Sequence, residues 1–125
     1  MTLHLADYRI SQYGDVKPDD QIGEVFAEIA KADILVVGTP VYWYSVSGIY
    51  KTFMDRWYML PAADALKGKK LYFFAQGSGP SKEAVATIKY LIRRSSMLAE
   101  MKLESLVINT GDISEMREQL KENIK

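Results

Sequence analysis

Asp33-Ile-Leu-Val-Val-Gly-Thr-Pro-Val-Tyr-Trp-Tyr-Ser45 is the stretch that decides how this chain folds. Ile34 to Val37 is a continuous β-branched and Leu run, as expected of a strand buried on both faces of a parallel sheet. The run stops at Gly38, a Thr39-Pro40 pair follows, then Tyr42, Trp43 and Tyr44, then Ser45-Val46-Ser47-Gly48 opening a helix. In an open α/β sheet, ligands bind outside the carboxyl ends of strands, beside helix N-termini. Turns are usually polar, so three aromatics in one require a reason. Lining a flat, mostly apolar ligand is one reason; forming an interface is the other.

Working outward, the pattern alternates. Leu3 to Ile10 reads as a first short strand, and Ser11 to Asp20, with Gly14 and Pro18, as a loop. Ile22, Val25, Phe26, Ile29 and Ala30 fall at helical spacing, predicting a helix over 21–32 with Asp20 as its N-cap. A second helix is expected over 47–58, with Val46, Ile49, Tyr50, Phe53, Met54 and Trp57 inward and Pro61 ending it. After the Lys67-Gly68-Lys69 turn, Leu71 to Ala75 is a buried strand that ends in the small-residue loop Gln76-Gly77-Ser78-Gly79-Pro80. A helix follows over 81–97, with Lys89, Arg93 and Arg94 near its C-terminus, where cations suit the helix dipole. A strand over 103–109 and a last helix over 112–124 complete the chain, Asp112 and Glu115 resembling a capping box. The order β-α-β-α-β-α-β-α with short connections implies a parallel sheet with right-handed crossovers.

The bulk numbers fit one domain of 125 residues, with 48% apolar residues supplying a core. The 16 Lys+Arg balance the 16 Asp+Glu, which argues against nucleic acid as a partner, since that binding rests on phosphate neutralisation. With no cysteine, disulfides, thiolate metal sites and a Cys nucleophile are excluded. No apolar run approaches the roughly 20 residues of a membrane span, and no signal peptide is visible, so the cytoplasm is the expected compartment.

Ala32-Asp33-x4-Gly38-Thr39-Pro40-Val41-Tyr42-Trp43, then Ser47-Gly48-x2-Lys51-x-Phe53-x-Asp55-Arg56, resembles the NAD(P)H-dependent FMN reductase family of flavodoxin-like proteins. The strong match runs from about Asp19 to Trp57; the other elements agree in order and length. The resemblance implies a flavodoxin-like three-layer sandwich, FMN as cofactor, NAD(P)H as electron donor, and a flavin, quinone or similar small molecule as acceptor. It assigns Pro40, Val41, Tyr42, Trp43 and Tyr44 to the isoalloxazine ring, within a candidate cofactor-binding loop that runs from Thr39 to Ser45, and Gln76, Gly77, Ser78 and Gly79 to its neighbourhood. Backbone N–H groups of a strand-end loop can bond the polar edge of a flavin, and aromatic rings can pack on its face. Glycines at 77 and 79 let backbone approach closely. The cofactor carries the chemistry, so no acid, base or nucleophile is expected from side chains.

The family's first strand, and the Ser/Gly-rich loop that holds the FMN phosphate, have no counterpart before Leu3, so the domain is expected to be N-terminally short. The helices over 21–32, 47–58 and 81–97 should then share one face, leaving bare sheet on the other and favouring a homodimer or higher assembly. An alternative role is that of a non-catalytic flavodoxin-like fragment or remnant acting mainly through self-association. Ser45 and Ser47 read as helix caps rather than nucleophiles, and His4 as a lone surface or strand residue. Lys51 and Asp55 read as an exposed i, i+4 pair, and Met54, Met59, Met97, Met101 and Met116 as core filling.

Overall fold

The computed structural model describes residues 1–57, 62–109 and 113–124. A short 3-10 turn at Leu5–Asp7 precedes α1 (Ile22–Ala30), β1 (Ile34–Pro40), α2 (Gly48–Met54), α3 (Ala62–Leu66), β2 (Lys70–Gln76), α4 (Lys82–Leu98), β3 (Lys102–Ile108) and α5 (Ile113–Ile124). The three strands are parallel, in the order β1-β2-β3. Both crossovers step in the same direction, so right-handedness places α2, α3 and α4 on one face. On that face Leu35, Val37, Leu71, Phe73 and Ala75 meet Phe26 of α1, Tyr50 and Phe53 of α2, Leu66 of α3, and Ile88 and Ile92 of α4. The other face is thinner: Tyr72, Phe74, Val107 and Ile34 pack against Met116 and Leu120 of α5. The result is a three-layer α/β sandwich, deep on one side and sparse on the other.

The strand expected over Leu3 to Ile10 is not formed. Its apolar residues do bury, with Leu3, Leu5, Tyr8 and Ile10 against the main core. Its backbone bonds stay local or reach the start of α1: Tyr8 N–H donates to Leu5 O, Arg9 N–H to Gln21 Oε1, and Gln21 N–H to Arg9 O. Alternation in sequence was satisfied by packing beneath helices, without a partner strand to make it a ladder. Among the described residues the sheet therefore has three strands, not four.

Smaller differences have equally local causes. Asp20 does not cap α1; the cap position is Gln21, without a side-chain bond. The Asp20 carboxylate is bound to Arg56, whose Nη1 and Nη2 lie 3.1 and 2.9 Å from it, and it accepts the Ser11 N–H at 2.8 Å. α2 ends at Met54 and α3 was unforeseen, being one turn with no periodicity to read. Pro61, and Asp112 of the expected capping box, lie outside the described residues, as does Met59. Met54, Met101 and Met116 are buried, whereas Met97 faces solvent on the outer side of α4. That helix runs one residue further than expected, to Leu98, so Lys89, Arg93 and Arg94 sit short of its last turn. Among the described residues no helix is long and apolar enough to cross a membrane.

Candidate functional site

The two loops singled out in the sequence lie side by side at the carboxyl edge of the sheet. β1 and β2 end in register, Pro40 opposite Gln76, and the ladder continues one step beyond as Val41 N–H donates to Gln76 O at 2.8 Å. Gly77 passes so close to this loop that an added Cβ would stand 2.9 Å from Val41 Cβ. A side chain at position 77 would therefore force the loops apart. Gly79, at φ 66°, turns the second loop back on itself, its N–H donating to Gly77 O at 3.0 Å.

The first loop has an unusual tip. Tyr42 and Ser45 exchange two backbone bonds, Tyr42 N–H to Ser45 O at 2.9 Å and Ser45 N–H to Tyr42 O at 3.0 Å. Between them Trp43 and Tyr44 have φ of 45° and 66°. Two successive central residues at positive φ make a turn of the type I′ class, which normally takes Asn-Gly. Bulky residues in this region are strained, at about 1–3 kcal/mol each, and such strain gathers at ligand sites. The tip is also bare: Trp43 is 94% exposed, Tyr42 59% and Tyr44 57%. Among the described residues, the N–H groups of Trp43, Tyr44 and Ser78 have no acceptor. Three apolar rings and three free donors are thus gathered at one strand-end edge.

The remaining predicted residues hold this platform in place. Thr39 is buried, and its hydroxyl accepts the Ser47 N–H at 3.0 Å and donates to Pro40 O at 3.1 Å, tying β1 to the start of α2. Ser47 caps α2 by accepting the Tyr50 N–H, as its sequence position suggested. Ser45 serves the tight turn instead. Pro40 and Gln76 are exposed at the strand ends, and Val41 is half-buried against Gly77.

Sequence reasoning missed Asn109. It stands just past β3 at φ 83°, its N–H donating to Ala75 O at 2.7 Å and its Oδ1 accepting the Gly77 N–H at 3.3 Å. The signal was available, because Asn is one of the few residues that tolerate positive φ. Beneath α2, burial pushes the Tyr50 phenol above its ordinary pKa, and among the described residues neither its hydroxyl nor Trp57 Nε1 has a partner. Tyr50 is thus a neutral packing residue. A shallow groove of about 610 Å³ runs along α4, lined by Pro80, Lys82, Val85, Lys89, Tyr90 and Arg93 among others, and meets the platform only at Pro80. Its lining is mostly apolar in area and also carries the cations Lys82, Lys89, Arg93 and Arg94. Among the described residues no cluster of three His, Asp or Glu could hold a metal.

A three-stranded parallel sheet with helices on both faces defines a flavodoxin-like α/β domain. The particular branch follows from comparison with known proteins: residues 1–108 match the NADPH-dependent FMN reductase family, and the chain belongs to it. A curated relative is an iron-sulfur flavoprotein of Archaeoglobus fulgidus, 37% identical over 62 residues, covering 43% of this chain and 31% of the relative. Another is a putative NAD(P)H-dependent FMN-containing oxidoreductase of Bacillus subtilis, 36% identical over 53 residues, covering 42% of this chain and 29% of the relative. The matched region thus spans about a third of either relative. Among solved structures, an NADH:FMN oxidoreductase in its apo form superposes with a TM-score of 0.64 at 25% identity, covering 96% of this chain and 67% of that one. The general stress protein 14 of Treponema denticola, solved with FMN, superposes at 0.60 and 17% identity, covering 90% and 72%, and speaks for the fold alone.

Proposed function

We propose that this domain holds the isoalloxazine ring of FMN on the Thr39–Ser45 and Gln76–Gly79 loops, and serves transfer of electrons from NAD(P)H to a flavin, quinone or similar small acceptor. The observation that carries this reading is the strained turn at Trp43-Tyr44, which keeps large apolar rings in solvent beside free backbone donors. Exposure of that kind costs stability and is accounted for by a ligand that covers it. When bound, the flavin supplies the hydride chemistry. Trp43 and its neighbours give it an apolar face, with stacking worth about 0.5–1.5 kcal/mol beyond buried area. The Trp43, Tyr44 and Ser78 N–H groups suit its polar edge. Thr39, Asn109 and the Gly77–Val41 contact fix the spacing of the two loops. Neither loop carries a His, Asp, Glu or Lys, so protons exchanged by the ring would come from solvent. The proposed setting is the cytoplasm.

The second reading, a non-catalytic domain that acts by self-association, draws on the exposure of Tyr42, Trp43 and Tyr44, rings that would serve equally as an interface. Titration with FMN followed by quenching of flavin fluorescence separates the two. The first reading requires saturable binding, with an affinity for Trp43→Ala at least tenfold weaker and an unchanged melting temperature, and NAD(P)H oxidation that depends on added flavin. Absence of saturable binding would leave only the second.

A further inference from the structure

The helix that follows the second loop carries charges its own fold does not use. Lys82, Lys89 and Arg93 recur at helical spacing along one face of α4, with Arg94 beside them. Among the described residues none of these four cations holds a carboxylate, whereas Arg9, Lys17, Lys31 and Lys121 each do. Lys89 and Arg93 are like charges one turn apart, and Lys82 stands in the first turn, where a cation opposes the helix dipole. Both arrangements cost helix stability. The whole chain is neutral, yet the segment 81–97 sets these four cations against the single carboxylate of Glu83. They border the groove of about 610 Å³, whose floor is apolar, made of half-buried Val85 and the Tyr90 ring, itself 69% exposed. The groove begins at Pro80, directly after the Gln76–Gly79 loop, and α4 packs on β3, the strand furthest from β1. From Lys82 to Arg93 the helix rises roughly 16 Å.

We infer that this groove takes the adenosine 2′-phosphate half of the nicotinamide donor and thereby favours NADPH over NADH; the inference builds on the flavin platform of the two loops. A donor whose nicotinamide stacks on a flavin at those loops carries its pyrophosphate and adenosine away from the ring. Past Pro80 the groove leads off the platform over the length such a molecule needs. Lys82 and Lys89 suit the pyrophosphate as point charges, while the Arg93 and Arg94 guanidiniums suit the 2′-phosphate, which they can grip through paired N–H groups. Tyr90, on the same face, offers a ring on which adenine can stack. Other occupants match less of this pattern. A second copy laid face to face on α4 would set cation against cation. A nucleic acid would find one basic helix face on a chain with no net charge.

Adenosine 2′,5′-bisphosphate, which has this half of NADPH without the nicotinamide, is the probe. Titrated into the flavin-free protein, it should bind saturably and shift the amides of Lys82, Lys89, Tyr90 and Arg93. Adenosine 5′-monophosphate, which lacks the 2′-phosphate, should bind about tenfold more weakly or worse. The double variant Arg93→Gln/Arg94→Gln should lose the bisphosphate by a similar factor, while Arg117→Gln/Lys121→Gln, the same charge change on α5, should keep it. With flavin added, Arg93→Gln/Arg94→Gln should raise KM for NADPH but not for NADH, at unchanged kcat. No saturable binding of the bisphosphate, equal affinity for the monophosphate, or equal loss in the α5 variant would each overturn the assignment. So would a dimer in sedimentation that Arg93→Gln/Arg94→Gln dissolves, which would give the face to a second copy. FMN titration of the same proteins reads the platform separately: failure of FMN to bind while the bisphosphate binds would overturn the flavin reading and support the groove. Should Arg93→Gln/Arg94→Gln fail to fold, the comparison of bisphosphate with monophosphate on the unmodified chain still decides.

Discussion

Replacing Trp43-Tyr44 by Asn-Gly should make the protein more stable and worse at binding flavin. Both replaced residues sit at positive φ, 45° and 66°, in a turn closed by the Tyr42–Ser45 bonds. Holding an L-residue in that region costs roughly 1–2 kcal/mol each, and Asn-Gly is the pair the turn prefers. The extra backbone freedom of the introduced glycine returns about 0.5–1 kcal/mol to the unfolded chain. Trp43 is 94% exposed, so removing its ring forfeits almost no packing. The net gain is about 1–2 kcal/mol, or roughly 4–8 °C in Tm for a chain of this size. On the binding side, covering roughly 60 Å² of the Trp43 ring at about 25 cal/mol per Å² contributes about 1.5 kcal/mol. Stacking adds about 0.5–1.5 kcal/mol, so affinity should fall on the order of thirtyfold or more. Thermal unfolding followed by circular dichroism and FMN titration by fluorescence quenching read the two effects separately. A lowered Tm would show that the turn is not strained as described. A raised Tm with unchanged affinity would show that the strain serves something other than the flavin.

The buried Asp20–Arg56 pair joins the N-terminal segment to the end of α2, with side chains 9% and 2% exposed. Arg56→Met would leave that carboxylate buried without its guanidinium and should cost about 3–5 kcal/mol, measured by urea unfolding. The Arg56 bond holds the Asp20 carboxyl below the ordinary carboxylate range, outweighing the opposing effect of burial. Its contribution is thus present above pH about 4 and lost as pH falls through the folded value, and Asp20→Asn should flatten that acid limb of the stability curve. Asn109→Gly keeps the positive φ but removes the bond to Gly77 N–H, and should weaken FMN binding several-fold while Tm stays within a few degrees. Gly77→Ala drives a Cβ toward Val41 and should cost about 1–3 kcal/mol, with Val41→Gly relieving part of the loss in a double-mutant cycle.

What the sequence revealed and what it hid divide along a physical line. The Ile34–Val37 run and the helical spacing of Val25, Phe26 and Ile29 are local patterns, and both reappear in the fold. But β1 does not stop at Gly38: it runs on to Pro40, and Val36 is half exposed rather than buried. The placing of both loops at one sheet edge follows from alternation and handedness alone. Leu3 to Ile10 misled because alternation reports burial, not the presence of a neighbouring strand. Asp20 looked like a cap because its real partner, Arg56, lies 36 positions away, beyond any local pattern. The aromatic loop was legible as a candidate site from its composition, yet its I′ geometry was not. Trp-Tyr is a pair that propensity would keep out of such a turn, and conflicts of that kind are expected where ligands bind. Asn109 escaped because its role rests on a side-chain bond across 32 positions.

Amide NMR of the isotopically labelled protein, titrated with FMN, tests the platform most directly. Shifts should concentrate at Val41 to Ser45 and Gln76 to Gly79, with Asn109 following as their buttress, and the same set should move with riboflavin, which has the ring but no phosphate. Shifts confined to Lys82, Lys89, Tyr90 and Arg93 along α4, with the Trp43 and Tyr44 amides unmoved, would contradict the assignment of the flavin to these loops.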